Sequence, residues 1–306
     1  MIKEYINKLI ENLPNENKVD GRINNIDLIL DGGIFNGSYL FGSLYFLKEL
    51  ENKKYIKVNR ISSCSIGSIA GLLYFIDKLD ESLEMYNVIL DNFKKKFNLN
   101  IFDMIFNKIK TSIPSNFCKK IKNKFYISYY DMQKREKIVK SKYKNIEDLF
   151  ETIRKSCFVP FIVNGNMFYK NRYLDGINPY IFNVEKKKQI LYLDLFGSDK
   201  IPHLLCVKNE KNNFHRILSG LLDIHLFYIK KNKTQMCSYV NNWGIVDIFH
   251  HRVKKYIIEC FIYYVSYLCF LLKRYIPEDL YDGVIFKIIM RAIKDVYINI
   301  IKYYCF

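Results

Sequence analysis

Short apolar runs alternate with helical periodicities over the first third of the chain. Ile26-Asp27-Leu28-Ile29-Leu30 is mostly apolar and ends on Asp31-Gly32-Gly33, the pattern of a buried strand entering a glycine turn. From Ser38 to Leu50, the residues Leu40, Phe41, Leu44, Leu47 and Leu50 recur at the spacing of one helix face, which predicts a helix after the turn. Tyr55 to Ser62 then reads as a second strand and Ile66 to Leu79 as a second helix. Strand, turn and helix given twice is the opening of an open α/β sheet with crossover connections. Phe125 to Tyr130, Tyr169 to Leu174 and Gln189 to Phe196 are further strand candidates, and Asn145 to Phe158 looks helical. The rest of Asn87 to Asn145 is less regular, and after about His203 the pattern is helical to the end. The expected fold class is α/β with an α-rich C-terminal third.

No Pro/Gly/Ser-rich linker interrupts the 306 residues, and no repeat of about 20–50 residues is present. The expected organisation is a short amphipathic helix over 1–23, an α/β core over 24–200 and a helical region over 201–306. That last region packs on the core or at a membrane interface. Within it, Tyr256 to Leu272 carries Glu259 as its single charge, bracketed by Lys254-Lys255 and Lys273-Arg274. A membrane span usually needs about 20 apolar residues, so this stretch reads as a buried or interfacial helix in preference to a span.

Three segments carry candidate chemistry. Ser63-Cys64-Ser65-Ile66-Gly67-Ser68 lies between a predicted strand and a predicted helix. A nucleophile elbow is built at such a junction, because the sharp turn exposes a serine at the carboxyl edge of a sheet and needs small neighbours. Gly67 has the right place after Ser65, whereas the usual leading glycine is Ser63. The second segment is Asp31-Gly32-Gly33-Ile34-Phe35-Asn36-Gly37. Consecutive glycines let backbone N–H groups converge on an anion, and the helix that follows adds its positive end. A phosphate loop would share the Gly32–Gly37 spacing but continue with Lys, and here Ser38 follows. The third is Arg172-Tyr173-Leu174-Asp175-Gly176, a strand ending in a carboxylate and a turn. Asp-Gly also occurs at 20–21, 31–32 and 282–283, so by itself it says only that the chain turns.

Together these segments resemble the patatin-like phospholipase family. The order is D-G-G-x-x-x-G, then S-x-S-x-G at the next strand–helix junction, then D-G far downstream. Ser156-Cys157-Phe158-Val159-Pro160 is similar to the S-x-x-x-P stretch before the family's catalytic aspartate. Gly37-Ser38-Tyr39-Leu40-Phe41-Gly42-Ser43-Leu44 is similar to its G-x-Y-x-x-G-x-L helix, and the likeness covers roughly residues 24 to 182. The resemblance implies a three-layer α/β/α patatin-like sheet and hydrolysis of phospholipid or acylglycerol esters without a cofactor. It implies a Ser65–Asp175 dyad with no histidine, the amides of Gly32, Gly33 and Ile34 holding the oxyanion. Gly37, Gly67 and Gly176 would support the elbow and loops. The histidines at 203, 215, 225, 250 and 251 all follow the serine, so a triad stays open on chain order alone. The sequence departs from the family at Ile34, Asn36, Ser63 and Ile177, which leaves a second reading: a catalytically weak or inactive lipid-binding protein on the same fold.

Charge and cysteines refine this picture. A net charge of +17 attracts polyanions, and its densest segments are Cys118 to Lys124 and Lys134 to Lys144. With no nucleic-acid motif beyond those clusters, an anionic membrane surface is the expected partner. The eight cysteines form no CxxC pair, and neither zinc nor calcium spacing is present. Reduced thiols in an intracellular, cytoplasmic protein with peripheral membrane association are expected.

Overall fold

A computed structural model describes residues 2–14, 23–185, 188–197, 199–204, 206–207 and 210–275, with scattered positions from 283 to 303. Side chains at 261–262, 265–266 and 268–275 lie outside that description, as do Asp20-Gly21, Asp282 and Cys305. The fold is mixed α/β, a central sheet with flanking helices and long helices in the C-terminal region.

The chain enters through α1 (Ile2–Glu11), which buries Ile6 and Ile10. The strand and helix expected next are β1 (Asn24–Leu30) and α2 (Gly37–Asn52), followed by β2 (Ile56–Cys64) and α3 (Ile66–Phe75). The segment that looked irregular holds α4 (Glu81–Lys96), α5 (Phe102–Lys110) and the short α6 (Phe117–Lys120) before β3 (Phe125–Asp131) and β4 (Glu136–Lys140). Lysines and asparagines dilute the apolar faces of α4 and α5, though Met85, Tyr86, Ile89 and Phe93 are buried on one side of α4. Then come α7 (Ile146–Ser156), β5 (Tyr173–Leu174), β6 (Gln189–Leu193), α8 (Phe214–Lys230), β7 (Cys237–Tyr239) and α9 (Ile245–Tyr275). Two expectations need correction. Tyr169 pairs only as an isolated bridge to Tyr173, so the strand there is Tyr173–Leu174. The C-terminal third is not helical throughout, because β7 adds an antiparallel edge beside β6. Three residues are too few to show the period of a strand.

The strand order is β4-β3-β2-β1-β6-β7, with β5 on β3. β3, β2, β1 and β6 run parallel, so their carboxyl ends share one edge. β1 leads to β2 on one side and borders β6 on the other, a reversal of strand order that opens a crevice outside the carboxyl ends. One face of the sheet, with Leu28, Leu30, Ile61, Ile127 and Leu193, packs in the main core with α1, α2, α3 and α8. On the other face Ile29, Ile190 and Tyr192 meet Phe182, Tyr180 and Trp243, and the His251 ring of α9 stands edge-on to Tyr192.

α8 is fastened to α2 at backbone distance. A Cβ on Gly42 would stand 1.9 Å from the Ile217 carbonyl oxygen, and one on Gly220 would stand 2.0 Å from that of Tyr39. Ser43 Oγ donates to the Gly220 carbonyl at 3.0 Å across the same contact. Among the described residues, no helix is long and apolar enough to cross a membrane.

Candidate active site at the carboxyl edge of the sheet

β2 ends at Cys64 and α3 begins at Ile66, so Ser65 alone makes the turn between them. Its φ of 49° and ψ of −132° lie where side chains are rare, a conformation that costs on the order of 1–3 kcal/mol and persists only when neighbours hold it. The neighbours are identifiable. The Ser65 N–H donates to Ser156 Oγ at 2.9 Å, and Ser156 Oγ donates in turn to the Ser128 carbonyl at 2.7 Å. The Cys157 thiol donates to the Ser65 carbonyl at 3.1 Å. A Cβ on Gly67 would stand 2.6 Å from the Asp31 carbonyl oxygen, so only glycine lets the elbow approach β1. Ser63 is tolerated because its hydroxyl is satisfied, donating to the Tyr126 carbonyl at 3.2 Å with Ser68 Oγ 3.3 Å away.

The glycine loop after β1 lies directly beside this turn. A Cβ on Gly32 would stand 3.0 Å from Ser65 Cβ. Gly33 has φ 157°, and Ile34, at the place of the family's third glycine, has φ 46°. The Gly32 N–H donates to Asp31 Oδ1 at 2.9 Å. The same carboxylate, fully buried, receives Lys255 Nζ at 2.6 and 2.7 Å and the Tyr192 hydroxyl at 3.1 Å. Lys255 comes from α9, is 1% exposed and lies over the Phe196 ring. Beside it, Lys254 pairs with Asp194 at 2.6 Å. Burial pushes the Asp31 carboxyl up, and the Lys255 charge opposes that rise. The buried pair therefore ties α9 to the loop that carries Gly32 and Gly33.

Asp175 is brought to the same place by close backbone contacts. Its N–H donates to the Phe158 carbonyl at 3.1 Å, and the Gly176 N–H donates to the Ser156 carbonyl at 3.1 Å. A Cβ on Gly176 would stand 2.0 Å from the Ser128 carbonyl oxygen and 3.0 Å from Cys64 Cβ. Gly176 thus sits between Cys64 at the end of β2 and Ser128 within β3, which sets Asp175 beside the elbow. Oδ1 accepts the Ile177 N–H at 2.9 Å, while Oδ2 is buried without a well-formed partner. The Ser65 hydroxyl approaches this carboxyl closely enough to lower its pKa, short of full hydrogen-bond geometry. Burial is the larger influence and raises the pKa to about 7. Ile177, where the family has glycine, adopts φ 40°.

A narrow apolar cavity of about 50 Å³ opens beside Ser65, lined by Ile34, Phe41, Ile69, Met85, Tyr86 and Phe102 among others. That volume is on the order of one or two waters, so an acyl chain would enter by displacing side chains from α4 and α5. Asn36, at the family's basic position, is buried and accepts from the fully buried Arg216 at 2.7 Å. Arg216 also bonds Glu210 at 2.6 Å, so its charge is paired. The histidines are engaged elsewhere: His225 near the Leu9 carbonyl, His215 beside Glu210, His251 against Tyr192 and Trp243. His203 and His250 are exposed, and among the described residues no histidine bonds Ser65 or Asp175.

The structure brings Ser65, Asp175, Gly32, Gly33, Ile34, Gly37, Gly67 and Gly176 to one edge, where Gly37 meets Ile66 as Gly67 meets β1. Sequence reasoning missed Lys255 and the bond from Ser65 to Ser156. A lysine at the margin of an apolar helix gives no signal that it pairs with a carboxylate 224 residues earlier. No curated protein matches the chain in sequence. The family model for patatin-like phospholipases matches residues 28–179, which run from β1 through the elbow to just past Asp175. The elbow, the glycine loop and the aspartate are thus enclosed by one matched stretch, and that stretch of the chain matches as a patatin-like phospholipase domain.

Proposed function

We propose that the protein is a serine acyl hydrolase that cleaves phospholipid or acylglycerol esters at Ser65, with Asp175 as its base. The observation that carries this reading is the pairing of a strained serine at the sheet's carboxyl edge with a buried carboxyl whose pKa is about 7. Ser65 Oγ attacks the acyl carbonyl carbon, and its proton passes to Asp175. The carbonyl oxygen becomes an oxyanion facing the loop amides. Among the described residues, the N–H groups of Gly33 and Ile34 donate to no acceptor and are the donors ready for it, whereas the Gly32 N–H is given to Asp31. Each well-aimed donor contributes roughly 10²–10³ in rate. Asp175 returns the proton to the departing alcohol, then takes one from water as that water attacks the acyl-enzyme, and gives it to Ser65 Oγ as the C–O bond to the serine breaks and the fatty acid leaves. A base with a pKa near working pH serves both steps.

The lipid-binding alternative without catalysis is favoured by one observation, the commitment of the Gly32 amide to Asp31. Hydrolysis of a soluble short-chain ester separates the two readings. Ser65→Ala is expected to lower turnover by about 10³ or more while the protein stays folded. Turnover of Ser65→Ala equal to that of the parent removes Ser65 from the mechanism. A basal form of Asp175 requires kcat/KM to rise with pH through about 7 and then level.

A further inference from the structure

The first three turns of α9 turn large apolar side chains outward. Ile245 is 87% exposed, Val246 80% and Phe249 67%, and Tyr256 and Ile257 continue the exposed face. Isolated exposed apolar residues are ordinary, but a contiguous ridge of them marks an interaction surface. The end of α8 reaches the start of α9, because Lys233, just past α8, pairs with Asp247 of α9 at 2.7 Å. Exposed Arg252 lies on the same turns of α9, and exposed Lys230 stands at the end of α8, three residues before Lys233.

We infer that this ridge is the surface by which the protein docks on an anionic lipid bilayer. An apolar centre with a cationic rim matches a bilayer in both respects, an apolar interior beneath anionic headgroups. A second copy of this chain fits poorly, since it would bring together two like rims on molecules of charge +17. The choice of a lipid rests also on the reading of Ser65 as a lipid-ester nucleophile. The position on α9 supports it. Lys255 lies ten residues after Ile245, about 15 Å along the helix, and its ammonium holds Asp31 at the glycine loop. One face of α9 therefore meets the bilayer while another builds the edge of the site. The basic hairpin of β3 and β4 is engaged within the fold, with Lys140 on Asp148, Lys134 beside Glu136 and Arg135 over the Tyr267 ring.

Co-sedimentation with vesicles of equimolar phosphatidylcholine and phosphatidylglycerol tests the surface. Ile245→Ser/Val246→Ser/Phe249→Ser should bind roughly 100-fold more weakly, in high salt as in low. Lys230→Gln/Arg252→Gln should lose roughly tenfold at low salt and almost nothing at high salt. Both variants should hydrolyse a soluble short-chain ester like the parent, because none of these side chains lines the Ser65 cavity. Parent-like vesicle binding by the triple variant overturns the proposal. So does a parent dimer that the triple variant dissociates with vesicle binding unchanged, which would assign the ridge to a second copy. The two readings fail separately: a parent that binds vesicles through this ridge but never cleaves the soluble ester refutes the hydrolase and leaves the docking surface standing.

Discussion

Asp175 is unfavourably placed for stability and favourably placed for chemistry. Its carboxyl is raised from 3.8 to about 7 by burial, so the folded protein binds a proton there more tightly than the unfolded chain does. Stability from that proton is fully present below the unfolded value and is lost as pH rises from about 4 through about 7. Asp175→Asn keeps an oxygen for the Ile177 N–H and removes the buried charge. It should therefore gain on the order of 2–4 kcal/mol of stability at pH 8, little at pH 4, and lose hydrolysis. Denaturant unfolding at the two pH values measures this, and equal stabilities of variant and parent at pH 8 would show that the carboxyl is not strained by burial. Lys255 is the opposite case, a buried charge whose removal harms its partner. Lys255→Met leaves Asp31 buried without its cation and should cost about 3–5 kcal/mol, whereas Asp31→Asn/Lys255→Met should recover most of that. If the double variant is as unstable as the single one, the pair is not what holds α9 there. Of these residues the sequence showed Ser65 through its small neighbours and strand–helix context. Asp175 was one Asp-Gly among four until the family order singled it out. Lys255 was invisible, since a pairing across 224 residues leaves no local pattern.

At the scale of elements, the amino-terminal strands and helices were legible because each carries a clean period bounded by a turn. β1, α2, β2 and α3 appear within a few residues of expectation, α3 ending at Phe75 short of Leu79. α4 and α5 were missed where lysine and asparagine blur the apolar stripe, and β7 because it is three residues long. The α2–α8 contact was also hidden, since glycine in a helix pattern signals close packing only once its neighbour is known. Gly220→Val should force α8 off α2, as its Cβ would meet the Tyr39 carbonyl oxygen, and should lower stability by more than 2 kcal/mol. Thermal unfolding measures this; a parent-like midpoint would mean the two helices part without loss. Truncation before Lys254 removes both lysines that pair with Asp31 and Asp194. It is therefore expected to yield an unfolded or aggregated chain, visible as lost secondary structure by circular dichroism.

Across the whole molecule, the parallel strands gather the elbow, the glycine loop and the aspartate loop at one edge, as reversal of strand order beside β1 predisposes them to. α9 crosses that edge with its lysines inward and its apolar ridge outward, so the site and the docking surface share one element. The central claim is that Ser65 is a nucleophile activated by Asp175. The most direct measurement is covalent labelling by an active-site fluorophosphonate, located by peptide mass spectrometry. The expected result is a single adduct on Ser65 that forms faster as pH rises through about 7, is absent in Ser65→Ala, and slows by about 10² or more in Asp175→Asn. An unlabelled Ser65 in folded protein, or labelling that proceeds at the parent rate in Asp175→Asn, would contradict it.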